Sequence, residues 1–310
     1  MKKIINFIIA VLVIFLLIIA IVYIINNQNL EENNLTEENT KINIVTSFLP
    51  LTIFTENVVG ETANVSGLLP PGTGPHEYSL SPSDIQKLAD ADVFIVNGVG
   101  LEDWLDDAIT SANNPDLEII VASEGIELIS EETSSDENNY VSNPHVWVSP
   151  IQAIKQVQNI IDGLATTDEK NKDIYNQNGE NYIKQLQTLS TEISSKTSEA
   201  ASNKIVTFHS AFAYFAHDYN LNQVAVIEEF PGKEPSAKYI ADVEKQISEL
   251  GIKAIFSEPQ FSARLVEAIA TDLNLEVSTL DPVATGEVTP DYYEKVMRAN
   301  LDNLITALNK

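Results

Sequence analysis

Three histidines and one aspartate occupy places in the sequence where a metal site can be assembled. His76 follows a short apolar run and precedes a helical pattern, and His145 stands in the same relation to a later strand signal. His209 ends the run IVTFH, and Asp281 ends the run LEVSTLD. Each residue lies at or after the carboxyl end of a predicted strand, the edge at which ligands bind in open α/β sheets. Neutral imidazoles and a carboxylate on rigid, converging elements can hold a transition metal.

Each of these histidines, taken alone, is more typical of a surface or structural residue than of a ligand. Their long separations contain no local metal motif such as His-Glu-x-x-His. However, three of the four histidines share one topological position, and the chain has no cysteine, so imidazole and carboxylate must hold any transition metal. We interpret the fourth, His217, as a solvated residue or a neighbour of a ligand. Glu77 is an alternative carboxylate ligand, although its adjacency to His76 disfavours binding of both to one ion.

The charge of the chain is consistent with a cationic ligand. Among 310 residues there are 45 acidic and 18 basic side chains, which gives a formal net charge of -27. Such a charge repels phosphate backbones and anionic lipid surfaces, which argues against nucleic-acid binding. With 44% hydrophobic residues, the chain is too apolar for wholesale disorder.

The elements that must position these residues form two series of strand signals separated by helical patterns. The eight apolar, β-branched runs lie at 42–47, 63–69, 93–97, 117–122, 204–208, 223–228, 252–257 and 275–280. This alternation predicts an α/β fold with two lobes, each with a four-stranded, mainly parallel sheet. Between the two series lies a purely helical pattern with a break at 163–168. We interpret it as two helices, of which the first or both cross from one lobe to the other.

The N-terminal segment predicts a membrane anchor. Residues 4–25 form an apolar run long enough to span a bilayer; two lysines precede it and glutamates follow, which predicts a cytoplasmic N-terminus and an exported domain. A cleaved signal peptide is the alternative, but its apolar region is normally shorter and ends in small residues, whereas this run ends in VYII. The predicted organisation is an anchor at 1–25, a flexible acidic linker at 26–41, an N-terminal α/β lobe at 42–147, a helical connector at 148–202 and a C-terminal α/β lobe at 203–310.

Six stretches of the sequence occur in an order known from one protein family. They read PGTGPHEYSLSPSDIQKLADADVFIVNGVGLEDWL, NPHVWVSP, FHSAFAYFAHDYNL, EEFPGKEPSAKYIADVEKQI, FSEPQFS and TLDPVA. From about residue 42 to its end, the chain resembles the metal-binding solute-binding proteins of bacterial zinc and manganese ABC importers, the ZnuA/TroA type. The resemblance implies two lobes joined by one long helix, with the metal in the cleft between them.

The resemblance also implies a ligand set and a function. The ligands would be His76 and His145 from the first lobe and His209 and Asp281 from the second. The protein would be a monomeric, non-enzymatic binding protein on the extracytoplasmic face of the cell membrane, and would deliver one zinc ion to an ABC permease. A histidine at the third ligand position is typical of zinc members, whereas manganese members tend to have glutamate there. Three imidazoles and a carboxylate also suit tetrahedral zinc, but manganese or another divalent metal remains an alternative.

Two features depart from the family pattern, and two other functions stay open. The acidic segment 130–143 has no histidine where many zinc-type relatives have a His-rich loop, and we interpret it as a solvated loop or a weak metal-collecting segment. The lipid-anchor cysteine is missing, and the predicted membrane helix would replace it. A zinc hydrolase, with Asp281 or Glu77 acting on a metal-bound water, and a metal-binding adhesin are alternatives. Glu258, at another strand end, either hydrogen-bonds a ligand imidazole or is purely structural.

Overall fold

The computed structural model describes residues 41–70, 73–132, 140–228 and 235–310. The first sheet contains β1 (Asn43–Thr46), β2 (Asn64–Gly67), β3 (Val93–Val96) and β4 (Glu118–Val121), in the order β2-β1-β3-β4 with parallel pairing throughout. The helices α1 (Leu49–Val59), α2 (Pro82–Ala89) and α3 (Leu105–Ala112) connect these strands. All four strands fall within the predicted runs, because β-branched residues fit a sheet whose faces are covered.

The second sheet repeats this arrangement. It contains β7 (Lys204–Thr207), β8 (Asn222–Val226), β9 (Ala254–Ser257) and β10 (Glu276–Thr279), in the order β10-β9-β7-β8, again parallel. Its helices are α6 (Ala213–Asp218), α7 (Ala237–Leu250), α8 (Arg264–Leu273) and the C-terminal α9 (Tyr292–Leu308). Two four-stranded parallel sheets with covering helices confirm the predicted fold class.

Two long helices lie between the sheets in sequence, α4 (Pro150–Thr167) and α5 (Lys172–Ser198). The prediction that the helical pattern breaks from Gly163 onward is wrong, because α4 continues to Thr167 and ends at Asp168. A Cβ at Gly163 would lie 2.6 Å from Ile120 Cδ1, so close packing on β4 accounts for a glycine inside the helix. α4 packs against β4, α1 and α6, and α5 packs against α1 and α9, so that both helices contact elements of both halves.

The two ends of the acidic segment are β-strands, which differs from the prediction of a loop throughout 130–143. Its ends form the antiparallel pair β5 (Ser130–Glu132) and β6 (Tyr140–Ser142), and 133–139 lie outside the described residues. The predicted membrane span at 4–25 and the linker up to residue 40 also lie outside them. Within the described ranges, no helix has the length and apolar character needed to cross a membrane.

Candidate metal centre

His76 is held by a short 3-10 turn, Pro75–Glu77, between β2 and α2. The start of α2 fixes the far end of this connection, since the Ser81 backbone N–H donates to Asp84 Oδ2 at 2.9 Å in a capping box. Tyr78 Oη also donates to Asp84 Oδ2, at 2.5 Å. His76 is therefore placed by a tethered loop and is the exposed member of the site. The side chain of Glu77, the alternative ligand, lies outside what the structure describes.

His145 is buried, and its ring is oriented by Asn143. Asn143 Oδ1 lies 2.9 Å from His145 Nδ1 and also accepts the His145 backbone N–H at 2.8 Å. The amide of Asn143 cannot be reversed without loss, because its Nδ2 donates to the backbone oxygen of Ser210 at 2.9 Å. His145 Nδ1 therefore carries the proton, and its Nε2 lone pair is free to bind a cation.

His209 is buried at the end of β7 and is oriented by Glu258 at the end of β9. Glu258 Oε1 accepts from His209 Nδ1 at 2.5 Å and from the His209 backbone N–H at 3.1 Å. Of the two roles considered for Glu258, the structure shows the hydrogen bond to an imidazole. The carboxylate holds the proton on Nδ1, so the lone pair of His209 Nε2 is also available.

The three imidazoles converge on one point. His76 Nε2 lies 2.9 Å and His209 Nε2 lies 3.2 Å from His145 Nε2, and one nitrogen from each ring lies within 4.8 Å of the others. The Nε2 atoms of His145 and His209 are both acceptors, because each ring has its proton on Nδ1. Two lone pairs at this distance repel each other unless a cation lies between them. The sequence prediction that these histidines meet agrees with this geometry.

The pKa values of His76 and His145 favour neutral rings, the form that binds a metal. Although His76 is the most exposed residue of the three, the cavity removes water from its ring; this burial of the ring, followed by the positive charge that His209 can carry, lowers the pKa of His76 to about 4. Burial, followed by the nearby His209 and His76, holds the pKa of His145 well below its usual range. Near neutral pH both rings are unprotonated, which is the form that binds a metal.

Asp281 lies beside this group but is not a member of it. Its Oδ1 accepts the backbone N–H of Val283 at 2.8 Å, and its own N–H donates to Asn300 Oδ1 at 2.8 Å. Burial raises the pKa of Asp281, the negative charge of Glu258 adds to this rise, and the hydrogen bond from Val283 opposes it. Val283 is buried and has a φ of 60°, a left-handed conformation that is strained for a β-branched residue.

The three imidazoles line a cavity of about 290 Å³. Trp147 and Pro282 line it and join the two halves of the chain, since Trp147 Nε1 donates to the Pro282 carbonyl oxygen at 2.7 Å. Gln260 and Phe261, from the connection between β9 and α8, also line it. The site therefore lies at the carboxyl ends of both sheets, which is the position expected from the sequence.

The remaining histidine does not belong to the centre. The side chain of His217 is 75% exposed and lies 3.0 Å from Asp218 through Nδ1. Asp218 Oδ2 accepts from Ser149 Oγ at 2.6 Å and from Gln152 Nε2 at 2.7 Å, which fixes α6 against the start of α4. His217 is thus the solvated residue of the two interpretations.

Sequence reasoning did not find two residues of the site, Asn143 and Gln260. Asn143 precedes His145 by two residues, a spacing that permits a local hydrogen bond but does not require one. Gln260 follows Glu258 by two residues in FSEPQFS. The only signal in the sequence was their membership in the stretches that resemble the family.

Comparison with known proteins agrees with this geometry. A family model described as "Zinc-uptake complex component A periplasmic" matches residues 44–307. The chain belongs to this family. The zinc-binding protein AdcA of Streptococcus pyogenes is 32% identical to it over 286 residues, which cover 85% of this chain and 55% of AdcA. The chain therefore spans about half the length of that relative.

A relative of similar length is the high-affinity zinc uptake system protein ZnuA of Bacillus subtilis. It is 31% identical over 282 residues, which cover 86% of this chain and 88% of that protein. Among solved structures, the Zn(II)-bound ZnuA-like domain of Streptococcus pneumoniae AdcA matches with a TM-score of 0.73 and 32% identity, covering 87% of this chain and 100% of that domain. The family match and the similarity of fold thus cover most of the chain.

Proposed function

We propose that this protein captures one zinc ion between the two halves of its fold and delivers it to an ABC permease. The observation that carries the proposal is the convergence of three imidazoles whose Nε2 atoms lie 2.9 and 3.2 Å apart. Two of them are fixed by hydrogen bonds at Nδ1, so their free lone pairs face each other and require a cation. Membership of a zinc-uptake family and a zinc-bound structure of a similar domain support zinc as the ion.

Asp281 is proposed as the fourth ligand. Three imidazoles leave one position of a tetrahedral zinc ion open, and a carboxylate suits it. Asp281 is near enough to the centre for the charge of Glu258 to affect its pKa, and the adjoining Pro282 lines the cavity. Its other carboxylate oxygen, Oδ2, would bind the ion while Oδ1 keeps the hydrogen bond from Val283.

Zinc is favoured over manganese by the donor set. Three nitrogen donors and one carboxylate match tetrahedral zinc, whereas manganese prefers more oxygen ligands. A competition experiment in which the protein is given equal zinc and manganese should give zinc-loaded protein. Preferential loading with manganese would support the alternative within the same family.

An anchored, two-lobed organisation of the chain suits this function. We propose an anchor at 1–25 and a linker at 26–41 that keep the binding domain, a monomer, on the extracytoplasmic face of the membrane. The lobes are proposed at 42–147 and 203–310, with the connector at 148–202. Membrane fractionation of the full chain, with and without residues 1–25, tests the anchor, and light scattering of residues 42–310 tests the monomer.

A binding protein accounts for the site better than a hydrolase does. A catalytic zinc keeps an open position for water, whereas four protein ligands would close it. Measurable turnover together with a water in place of Asp281 would favour the hydrolase. Deletion of the gene separates an importer component from an adhesin, since only the importer component should be needed for growth under zinc limitation.

The decisive experiment compares two histidine variants by calorimetry. His145→Ala removes the central imidazole and should weaken zinc binding by at least about 100-fold, because zinc–ligand bonds are stronger than the outer contacts whose loss costs 10- to 100-fold. His217→Ala changes an exposed histidine outside the group and should leave the affinity unchanged. Equal zinc affinity of the His145→Ala variant and the unaltered protein would reject the site.

A further inference from the structure

Gln260 lies in the wall of the metal cavity, two residues after the carboxylate that orients His209. It belongs to a tight turn in which the Phe261 backbone N–H donates to the Glu258 carbonyl oxygen at 3.2 Å. The neighbouring Phe261 packs edge-on against the His209 ring, with centroids 5.5 Å apart. The turn therefore places Phe261 against the His209 ring and Gln260 beside Glu258, the hydrogen-bond partner of that ring.

The amide nitrogen of Gln260 completes the hydrogen bonding of Glu258. Gln260 Nε2 donates to Glu258 Oε2 at 2.9 Å. The other oxygen of this carboxylate, Oε1, accepts hydrogen bonds from the backbone N–H and from Nδ1 of His209. The side chain of Glu258 is 1% exposed. Because His209 binds one oxygen of the Glu258 carboxylate and Gln260 binds the other, the carboxylate plane is fixed, and with it the direction of the His209 ring.

The carbonyl oxygen of Gln260 makes no such contact. Gln260 Oε1 is buried and has no hydrogen-bond partner among the residues that the structure describes. Reversing the amide would place this oxygen against the carboxylate of Glu258, so the observed orientation is the favourable one. A buried, unpaired carbonyl is destabilising, whereas an apolar side chain of the same size would remove that penalty but leave the buried Glu258 Oε2 without a donor. The polar contact that this glutamine makes is therefore the one to Glu258, through its amide nitrogen.

We propose that Gln260 is a positioning residue for metal capture, which acts by holding Glu258 in the orientation that aims His209 Nε2 at the ion. This inference rests on the proposed zinc function. It adds a second contact behind one ligand, so that His209 is oriented by Glu258, and Glu258 in turn by Gln260. Outer contacts of this kind change metal affinity by about 10- to 100-fold in metal sites.

The test replaces Gln260 by leucine, which keeps the size of the side chain and removes the donor. Gln260→Leu should lower zinc affinity about tenfold in a chelator competition. It should also shift the electronic absorption bands of the Co²⁺-loaded protein, because the direction of one ligand changes. The unfolding midpoint of the metal-free protein should fall modestly, because the buried Glu258 Oε2 loses its donor, so the Co²⁺ spectrum is the readout that separates positioning from stability. Gln246→Leu is the matched control, because Gln246 bonds the Val224 carbonyl oxygen in the same half of the chain, and it should alter neither readout of the metal.

Combining variants shows whether the effect passes through Glu258. In a Glu258→Ala background, Gln260→Leu should cause no further loss of zinc affinity, because the carboxylate that connects Gln260 to His209 is already absent. An unchanged affinity and an unchanged Co²⁺ spectrum of the single variant would overturn the inference. A loss of affinity that accompanies a lower unfolding midpoint, with the spectrum unchanged, would also overturn it and assign Gln260 a structural role. Failure of the unaltered protein to bind zinc would overturn the proposed function itself, a result that none of the Gln260 outcomes resembles.

Discussion

Asn143 Oδ1 lies 2.9 Å from Nδ1 of His145, and the other end of the same amide donates to the backbone oxygen of Ser210. One side chain thus orients a proposed ligand from the first half of the chain and binds the residue next to His209 in the second half. A single amide thereby links the segments that carry two proposed ligands.

Replacing Asn143 should weaken zinc binding without removing a ligand. Asn143→Ala leaves His145 Nδ1 without its acceptor and should lower the affinity by about 10- to 100-fold. Asn143→Asp keeps the acceptor oxygen and should retain more of the affinity than Asn143→Ala does. Calorimetry of both variants measures this difference, and equal losses would show that the contact with His145 is not the cause.

Asp281 can be tested as a ligand without disturbing its loop. Asp281→Asn keeps an Oδ1 acceptor for the Val283 N–H but removes the negative charge, and it should lower zinc affinity by at least about tenfold. Asp272→Asn removes an exposed carboxylate of the same half and serves as the control. Should both variants bind zinc equally well, the fourth ligand would have to be sought elsewhere.

The stability that His76 and His145 contribute to the metal-free protein should fall as the pH drops from about 6.5 towards 4. In the unfolded chain a histidine takes up a proton near pH 6.5, whereas in the folded protein the pKa of His76 is about 4 and that of His145 is well below its usual range. Below about pH 6.5 these two histidines therefore bind more protons in the unfolded state, which lowers their contribution to the free energy of unfolding. Urea unfolding at several pH values measures this, and His145→Gln should show a weaker dependence on pH.

The same pKa values predict how zinc binding responds to acid. Protons compete with zinc at an imidazole only when the pH approaches its pKa, so His76 and His145 should release none between pH 6.5 and 5. The pH dependence of affinity in this range should therefore contain little contribution from His76 and His145, and fewer than three protons should be displaced per zinc. A value near three, as for three free imidazoles, would contradict the lowered pKa values.

Gly179 allows α5 to approach α4 closely. A Cβ at this position would lie 2.2 Å from Cδ1 and 2.5 Å from Cγ1 of the buried Ile161. Gly179→Ala should therefore lower the free energy of unfolding by about 1–3 kcal/mol, as overpacked cores do. Ile161→Val removes the nearest methyl group, and adding it to Gly179→Ala should recover part of the loss in urea unfolding. Equal stability of Gly179→Ala and the unaltered protein would show that the helices can separate freely.

The sequence was sufficient to predict the two sheets and the meeting of three histidines. β-branched runs mark strands that are covered on their faces, and the carboxyl ends of parallel strands lie along one edge. The extent of α4 was not predictable, because Gly163 disfavours a helix by its intrinsic propensity and only its contact with Ile120 explains its place there. The pairing of β5 with β6 was missed because the segments SEE and YVS lack a clear apolar alternation.

The outer contacts of the site were beyond sequence reasoning for a different reason. Hydrogen bonds from Asn143 and Gln260 depend on side-chain torsions and on partners distant in sequence, such as Ser210. Glu258 was recognisable as a candidate because it ends a strand, but its contact with His209 joins residues 49 positions apart. Composition and periodicity contain no information about such pairs.

The lone pairs of His145 Nε2 and His209 Nε2 face each other only in the folded protein, so an ion bound between them should lengthen the lifetime of the folded state. An ion that binds only the folded state stabilises it by about 4 kcal/mol when its free concentration is 1,000 times the dissociation constant. Proteases that cleave the transiently unfolded chain would then degrade empty molecules much faster than loaded ones. We expect the pool of this protein in a protease-rich environment to be enriched in zinc-loaded molecules, independently of any regulation of its synthesis.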